Sequence, residues 1–244
     1  MLVSIVVPAF NEEKLLGPNL AAIQTAATTA WTPLGWDHEL IVCDNNSTDR
    51  TAAIAADHGA HVVFEPINQI ARARNTGTSV ARGRWLLFID ADSRPSAALL
   101  TDLAAAIATD TVIACGSTLR FPTSHPLLRL GAAAWQTWSR LLRHMAGSFV
   151  AVETQAFREV GGFPTDLYVG EELELSRRLQ HLGRDRYPAQ HIRILTRHPL
   201  LTSPRKVELY SLRENLTFAL RTFTQPFKVM RNRDHCHLWY DGRR

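Results

Sequence analysis

Short hydrophobic runs alternate with longer amphipathic stretches in the first part of this chain. Four runs have the length and the β-branched or aromatic content typical of buried strands, at residues 2–7, 38–43, 60–64 and 85–89. The stretches at 11–29 and 70–81, and an alanine-rich stretch after Thr51, predict helices between them. This alternation predicts an α/β fold, with a mostly parallel sheet, helices on both faces and a single compact domain.

The second half of the chain is less regular. A helix from Pro95 to about Ala108 and a strand at 111–117 continue the alternation. Further along, a helix is predicted from Lys206 to about Arg221, followed by a polar tail. The tail contains Asp234-His-Cys-His237, whose spacing matches no common structural metal site, so we expect it to be solvated.

Residues 126–145 have apolar positions at a period close to 3.6, which predicts an amphipathic helix. Its tryptophans and arginines are Trp135, Trp138, Arg129, Arg140 and Arg143. The interpretation we favour is a helix whose apolar stripe packs on the sheet, because most such stripes belong to a core. The alternative is a face that contacts an anionic membrane surface.

Two carboxylates follow the most hydrophobic of the predicted strands. Asp90 and Asp92 come directly after residues 85–89, and side chains at i and i+2 of extended backbone point the same way. Paired carboxylates at the carboxyl end of a parallel strand favour a divalent cation that also binds substrate phosphates. The alternative is a polar turn in which Asp92 or Ser93 caps the next helix.

Asp44 occupies the same kind of position as Asp90, just past the carboxyl end of a predicted strand. The chain lacks both the Gly-x-x-x-x-Gly-Lys phosphate loop and a Gly-x-Gly-x-x-Gly after its first strand. These features predict a nucleotide site that is built without a glycine loop.

Composition narrows the possible partners. A net charge of +4 and a pI of about 9.2 are too mild to indicate nucleic-acid binding, but they suit an anionic substrate or membrane. The three cysteines are far apart, which favours a reducing cytoplasm. The N-terminus enters a strand directly, so we expect no signal peptide, and no apolar run reaches the length of a membrane span.

Several motifs together resemble glycosyltransferase family 2, the inverting group with the GT-A fold. They occur in family order between Leu2 and about Leu182. They are Ile5-Val-Val-Pro-Ala-Phe-Asn-Glu-Glu13, Val42-Cys-Asp-Asn-Asn-Ser-Thr-Asp-Arg-Thr51, Ala73-Arg-Asn-Thr-Gly77, Phe88-Ile-Asp-Ala-Asp92, Gly161-Gly-Phe163 and Glu171-Glu-Leu-Glu-Leu175. Each motif alone is weak, whereas the ordered set is specific.

The resemblance implies a nucleotide-diphosphosugar donor and a set of residues that bind it. This set is Pro8, Ala9, Glu12, Asp44, Arg74, Asp90 and Ala91. Within it, the first three would line the nucleoside pocket, Asp44 would bond the base and Asp90 the ribose. Arg74 would add positive charge near the phosphates.

The resemblance also implies a metal site and a catalytic base. Asp92 would hold Mg²⁺ or Mn²⁺ on the diphosphate, and His198 looks like the later histidine that some members place on the metal. Glu172 aligns with the carboxylate that takes the acceptor's proton, and Glu171 is its close rival. The acceptor would be a lipid-linked glycan, a glycolipid or a small alcohol.

The domain is expected to have a nucleotide-sugar-binding half at 1–118, an acceptor-binding half at 119–200 and a C-terminal helix and tail at 201–244. The chain departs from the family pattern at Glu171-Glu172, where Glu-Asp is usual. It also lacks the Gln-x-x-Arg-Trp motif of processive synthases, which favours transfer of a single sugar. We expect a cytoplasmic protein, with peripheral contact to the inner face of the membrane as a further hypothesis.

Two other functions fit parts of this pattern. A sugar-phosphate nucleotidyltransferase also places aspartates at strand ends, but its glycine-rich loop with Arg and Lys is replaced here by Pro8-Ala-Phe-Asn-Glu-Glu13. A non-catalytic nucleotide-sugar or glycan-binding module would be favoured by loss of the aspartates or the late glutamates, and all of these are present.

Overall fold

Eight strands form one mixed sheet in the computed structural model, which describes residues 1–121, 126–203, 229–236 and 240. The strands are β1 (Leu2–Ala9), β2 (Asp37–Asp44), β3 (His61–Phe64), β4 (Trp85–Ile89), β5 (Ser93–Arg94), β6 (Val112–Arg120), β7 (Phe149–Glu153) and β8 (His191–Thr202). The helices are α1 (Leu16–Trp31), α2 (Thr51–Asp57), α3 (Ile70–Thr78), α4 (Ala97–Ile107), α5 (Pro126–Leu142), α6 (Thr154–Glu159) and α7 (Glu171–Asp185). The predicted helix at 206–221 lies outside the described residues.

The strand order is β3-β2-β1-β4-β7-β6-β8-β5. The first four strands of this order are parallel, and β7 then pairs antiparallel with β4 on one side and β6 on the other. Parallel strands bring their carboxyl ends to one edge of the sheet, so the residues after β1, β2 and β4 lie side by side.

Both faces of the sheet are covered, as the alternation predicted. In β4, Leu87 and Ile89 pack with α1 and α4, whereas Leu86 and Phe88 pack with α6 and α7. Successive side chains of a strand point to opposite faces, so burial of both faces requires an uninterrupted apolar run. This requirement explains the hydrophobic composition of residues 85–89.

Three predicted helix ends differ from the structure. Helix α1 begins at Leu16 rather than Asn11, because Asn11 has a φ of 51° and its Oδ1 accepts a hydrogen bond from the Thr48 backbone N–H. Helix α3 ends at Thr78, before the predicted end at Ala81. Helix α4 begins at Ala97 rather than at the predicted Pro95. Ser96 caps it, because its Oγ accepts a hydrogen bond from the Leu99 N–H at 3.1 Å.

The cap on α4 bears on function. Because Ser96 caps α4, neither Asp92 nor Ser93 does so. The alternative interpretation, in which the Asp-x-Asp segment is only a polar turn that caps the next helix, is therefore wrong. Asp92 is therefore available for a different role at the end of the sheet.

The apolar stripe of α5 is only partly packed. Trp138, Leu141 and Leu142 are 37%, 76% and 47% exposed, although Ser139 and the following Met145 are buried. The favoured prediction of a stripe packed on the sheet is wrong for this end of the helix. Among the described helices, none combines the length and apolarity that crossing a bilayer requires.

Some of the described C-terminal residues pack on the domain, whereas residues 231–234 are exposed. Val229 and Cys236 are buried, and the Met230 carbonyl accepts a hydrogen bond from the Tyr168 N–H at 2.6 Å. The prediction of a solvated tail is therefore wrong for Cys236, whereas Asp234 is exposed and residue 237 lies outside the described residues.

Close packing between β1 and the segment before β4 requires a glycine at position 83. A Cβ atom at this position would lie 2.5 Å from the Ser4 backbone nitrogen, and the Gly83 N–H donates to Ser4 Oγ at 2.8 Å. Only glycine allows this approach between the segment before β4 and β1.

We expect Gly83→Ala to lower the free energy of unfolding by roughly 1–3 kcal/mol, because the added methyl group overpacks the contact with β1. Gly131→Ala is the matched control: Gly131 lies on an exposed position of α5 with open space around its Cβ direction, so the same change should be neutral or slightly stabilising. Urea denaturation of both variants measures the difference, and equal effects would contradict the packing argument.

Candidate active site

The carboxyl ends of β1, β2 and β4 surround a cavity. Ala9 lies opposite Asp44 in the β1–β2 register, and Asp90 follows β4. We refer to this as the first cavity; it is lined by Pro8, Ala9, Phe10, Glu12, Asn45, Asn68, Ile70, Asp90, Ala91, Asp92 and Tyr240. Four of the residues that were expected to bind the donor therefore line the same cavity: Pro8, Ala9, Glu12 and Ala91.

A second cavity, of about 440 Å³, adjoins the first and shares Ile70, Asp90 and Asp92 with it. Its lining combines a group of charged side chains with a larger apolar surface. The charged residues are Arg74, Asp90, Asp92, Glu171 and Glu172, and the apolar wall includes Leu119, Phe121, Trp135, Val169, Leu173 and Met230. The two cavities form one cleft with Asp90 and Asp92 at the junction.

Arg74 connects the two halves of the chain at this junction. Its guanidinium donates to Asp90 Oδ1 at 3.0 Å, to Glu171 Oε1 at 2.8 Å and to the Gly147 carbonyl at 2.9 Å. The arginine side chain is 3% exposed, so these contacts replace water around a buried charge. Among the described residues, the hydrogen-bond partners of Arg74 are two carboxylates and a carbonyl, and its expected place near the donor phosphates stays a prediction.

Asp90 is held on both of its oxygens. Arg74 binds Oδ1, and the Ser148 hydroxyl donates to Oδ2 at 3.1 Å. The orientation of this carboxylate is therefore set before any ligand binds.

The neighbouring glutamates have different environments. Glu171 is buried and paired with Arg74, whereas the Glu172 carboxylate has no hydrogen-bond partner in the parts of the chain that the structure describes. Burial, followed by the charge of Glu171, raises the pKa of Glu172 to about 8. A carboxylate with this pKa accepts a proton near neutral pH far more readily than an ordinary glutamate.

Asp92 fits a cation site. It is 8% exposed, borders both cavities, and accepts only a long 3.4 Å hydrogen bond from Ser93 within residues 1–121 and 126–203. Among described residues no group of three metal-binding side chains is present. One carboxylate, with the remaining ligands from phosphates and water, is the arrangement typical of Mg²⁺.

His198 lies away from these carboxylates. Its Nδ1 is 2.9 Å from Asp102 Oδ2 on α4, and it lines neither cavity. The prediction that His198 binds the metal is not supported by this arrangement, because Asp102 holds the ring against α4.

Asp44, which was expected to bond the base, lines neither cavity, whereas the residue that follows it does. Asp44 is buried and its Oδ1 accepts from the Ser47 N–H at 3.0 Å, while the next residue, Asn45, reaches the first cavity. The Asn45 amide donates to the Glu65 and Ile67 carbonyls, and its Oδ1 accepts from the Gln69 N–H. Asn45 therefore holds the loop that carries Asn68.

Sequence reasoning missed Asn45, Asn68 and Tyr240. Asn68 Oδ1 is buried without a partner among the described residues, which leaves an acceptor at the first cavity. Asn45 directly follows Asp44 at a strand end, and this position is a signal that could have identified it. Asn68 and Tyr240 reach the cavity only through tertiary contacts.

The chain is similar to several glycosyltransferases. It is 41% identical over 103 residues to an uncharacterised glycosyltransferase of Mycobacterium tuberculosis, a match that spans 42% of each chain. It is 30% identical over 95 residues to the UDP-Glc:alpha-D-GlcNAc-diphosphoundecaprenol beta-1,3-glucosyltransferase of Escherichia coli, covering 37% of this chain and 35% of the relative. The chain therefore matches less than half the length of these relatives.

A solved structure shows the same fold. The mannosyltransferase of Pyrobaculum calidifontis, determined with GDP-Man and Mn²⁺, superposes with a TM-score of 0.63 at 19% identity, covering 94% of this chain and 62% of the other. The predicted GT-A fold is confirmed by this likeness. The family model described as glycosyl transferase family 2 matches residues 4–159, which is more than half of the 244 residues. The chain belongs to glycosyl transferase family 2.

Proposed function

We propose that this chain transfers one sugar from a nucleotide-diphosphosugar to an acceptor hydroxyl, with inversion at the anomeric carbon. The observation that carries the proposal is one cavity bordered by Asp92, by the Arg74–Asp90–Glu171 cluster and by Glu172, whose carboxylate has no hydrogen-bond partner among the described residues. This arrangement separates a site for diphosphate from a carboxylate that can take a proton.

The nucleoside of the donor would occupy the first cavity. Pro8, Ala9 and Glu12 supply its wall, Asp90 presents a fixed carboxylate to the ribose, and Asp44 is the expected partner of the base. Asn68 Oδ1 offers an unsatisfied acceptor for an N–H of the nucleotide. The similar proteins support a nucleotide donor but do not indicate which base it carries. The Escherichia coli relative is named for UDP-Glc, whereas the Pyrobaculum calidifontis structure was solved with GDP-Man.

Asp92 would hold Mg²⁺ or Mn²⁺ at the junction of the cavities. When bound, such an ion neutralises charge on the diphosphate as it leaves. Among the described residues, Asp92 would supply the carboxylate ligand, and Arg74 fixes the orientation of the nearby Asp90. This assignment replaces the pair of Asp92 and His198.

Glu172 would act as the general base. Its carboxylate takes the proton of the acceptor hydroxyl while that oxygen forms a bond to the anomeric carbon and the bond to the diphosphate breaks. Attack from the face opposite the leaving group inverts the configuration. Glu171 is less suited to this role because its carboxylate is engaged by Arg74.

The acceptor would be a glycan linked to a lipid carrier. The apolar wall of the second cavity, formed by residues such as Phe121 and Trp135, suits the apolar part of such a molecule. The Escherichia coli relative is named for a diphosphoundecaprenol acceptor. Trp135 also packs on Trp138, with ring centroids 5.0 Å apart, which makes this wall continuous with the exposed end of α5.

That end of α5 would contact an anionic membrane. Leu141 and Leu142 are exposed beside Arg140 and Arg143, and the sequence contains no acidic residue between Asp110 and Glu153. Exposed apolar groups next to uncompensated positive charge fit a surface of anionic phospholipid.

Asp92→Ala is expected to abolish the dependence of donor binding on Mn²⁺, because it removes the protein ligand of the ion. His198→Ala is the matched control and should leave binding unchanged, since His198 contacts Asp102. Calorimetric titration of UDP-, GDP- and dTDP-sugars, with and without Mn²⁺, measures both. Unchanged affinity in Asp92→Ala, or loss of metal dependence in His198→Ala, would overturn this assignment.

Glu172→Gln should lower kcat by about 10²–10⁴-fold and leave donor affinity nearly unchanged, because the amide cannot accept the proton. The raised pKa of Glu172 adds a pH signature: wild-type kcat/KM should rise with pH up to about 8 and then level off, as the base loses its proton. The variant should lack this rise.

Glu171→Gln separates the two glutamates. It removes one charge partner of Arg74 and should reduce kcat less than Glu172→Gln does. The reverse order would assign the base to Glu171, and near-normal turnover in both variants would remove α7 from the chemistry.

Vesicle co-sedimentation tests the membrane contact. The chain should bind phosphatidylglycerol vesicles more strongly than phosphatidylcholine vesicles at low salt. Replacing Arg140 and Arg143 by glutamine should cost about 2 kcal/mol, or roughly 30-fold in partition, at about 1 kcal/mol for each charge. The matched double change of the exposed Arg184 and Arg197 should have little effect, and equal loss in both pairs would indicate unspecific charge attraction.

A further inference from the structure

Tyr240 borders the first cavity although it lies far beyond the region that the family model matches. That model ends at residue 159, and the other residues that line the cavity lie between Pro8 and Asp92. One wall of this cavity is therefore formed by Tyr240, which lies outside the family motifs.

The position of Tyr240 is set by two hydrogen bonds through its hydroxyl group. The oxygen accepts from the Ile70 backbone N–H at 3.3 Å and donates to the Tyr168 carbonyl at 3.1 Å. Burial and the nearby Glu171 raise the pKa of the Tyr240 phenol, so the hydroxyl remains protonated and can donate. The polar end of the side chain is therefore occupied by the protein, and the ring is the part that faces the cavity.

Neighbouring rings and charges add to this support. Tyr168 packs edge-on to Tyr240 with ring centroids 5.5 Å apart, and the Arg233 guanidinium lies 5.9 Å from the centroid of the Tyr240 ring. The Tyr168 N–H also donates to the Met230 carbonyl, so the C-terminal segment is tied to the loop before α7 at two points. Met230 lines the second cavity and Tyr240 the first, so these two residues border both parts of the cleft.

We propose that Tyr240 is a donor-binding residue whose ring packs against the nucleoside in the first cavity. The inference rests on the proposed function, because it takes the first cavity as the nucleoside site. An aromatic side chain offers a flat apolar surface on which any nucleobase can stack. This contact therefore contributes affinity but does not distinguish one base from another. Selection of the base would depend on polar groups such as Asn68.

The ring and the hydroxyl of Tyr240 can be tested separately. Tyr240→Ala and Tyr240→Leu remove the aromatic face, and each should weaken nucleotide binding by about tenfold or more, the scale of base–aromatic stacking. Tyr240→Phe retains the ring and should lose only a few-fold in affinity. Tyr187→Ala is the matched control, because Tyr187 is fully exposed and lines neither cavity.

The measurement is calorimetric titration of the full chain and its variants with UDP, GDP and dTDP in the presence of Mn²⁺, with circular dichroism to verify the fold. Turnover supplies a second readout: loss of the ring should raise KM for the donor more than it lowers kcat. The Leu variant keeps apolar bulk in the wall, so it tests the ring even where the Ala variant loses stability.

The outcomes separate this inference from the proposed function. Binding by the wild-type chain that persists unchanged in folded Tyr240→Ala and Tyr240→Leu would overturn the role of Tyr240 and leave the proposed function intact. Tighter binding in those variants would also overturn it, since the ring would then obstruct the donor. Failure of the wild-type chain to bind any of the three nucleotides would contradict the proposed function and this inference together.

Discussion

The buried guanidinium of Arg74 is the constraint on which the cleft depends. A charge that is withdrawn from water must be paired and hydrogen-bonded, and here the partners come from distant parts of the chain: Asp90 after β4, Gly147 before β7 and Glu171 at the start of α7. Removing either carboxylate would leave the buried guanidinium with one of its two described ion-pair partners. The arginine thus fixes α7 relative to the strand that precedes Asp90 and Asp92.

This constraint gives two adjacent glutamates different chemistry. Glu171 is engaged by Arg74, and its negative charge adds to the effect of burial on Glu172. A carboxylate that is both desolvated and close to another carboxylate binds a proton more tightly. Glu171 is thus held by an ion pair, whereas burial and the charge of Glu171 raise the pKa of Glu172.

Elements outside the family motifs complete the cleft. Helix α5 contributes an apolar wall through Trp135, and the C-terminal residues Met230 and Tyr240 reach the two cavities. Apart from Tyr240, the first cavity is lined by residues of the first half of the sequence, whereas the second cavity also uses residues from α5, from α7 and from the C-terminal part. Such additions are suited to distinguish members that share the same central sheet.

Local patterns in the sequence determined the α/β class, the strands around Val6 and Leu87, and the aspartates at the strand ends. These features follow from periodicity and from the common edge of parallel strands, which are properties of short segments. The motifs also indicated six residues that line the cleft, and the pair Glu171 and Glu172; the six are Pro8, Ala9, Glu12, Asp90, Ala91 and Asp92.

Only the tertiary structure decided the remaining points. It turned His198 toward Asp102, assigned the cap of α4 to Ser96, left Leu141 exposed and brought Tyr240 to the first cavity. The physical reason is the same in each case. Whether a polar or aromatic side chain is a ligand, a cap or a wall depends on which distant backbone and charges it meets, and this information is not contained in the spacing of nearby residues.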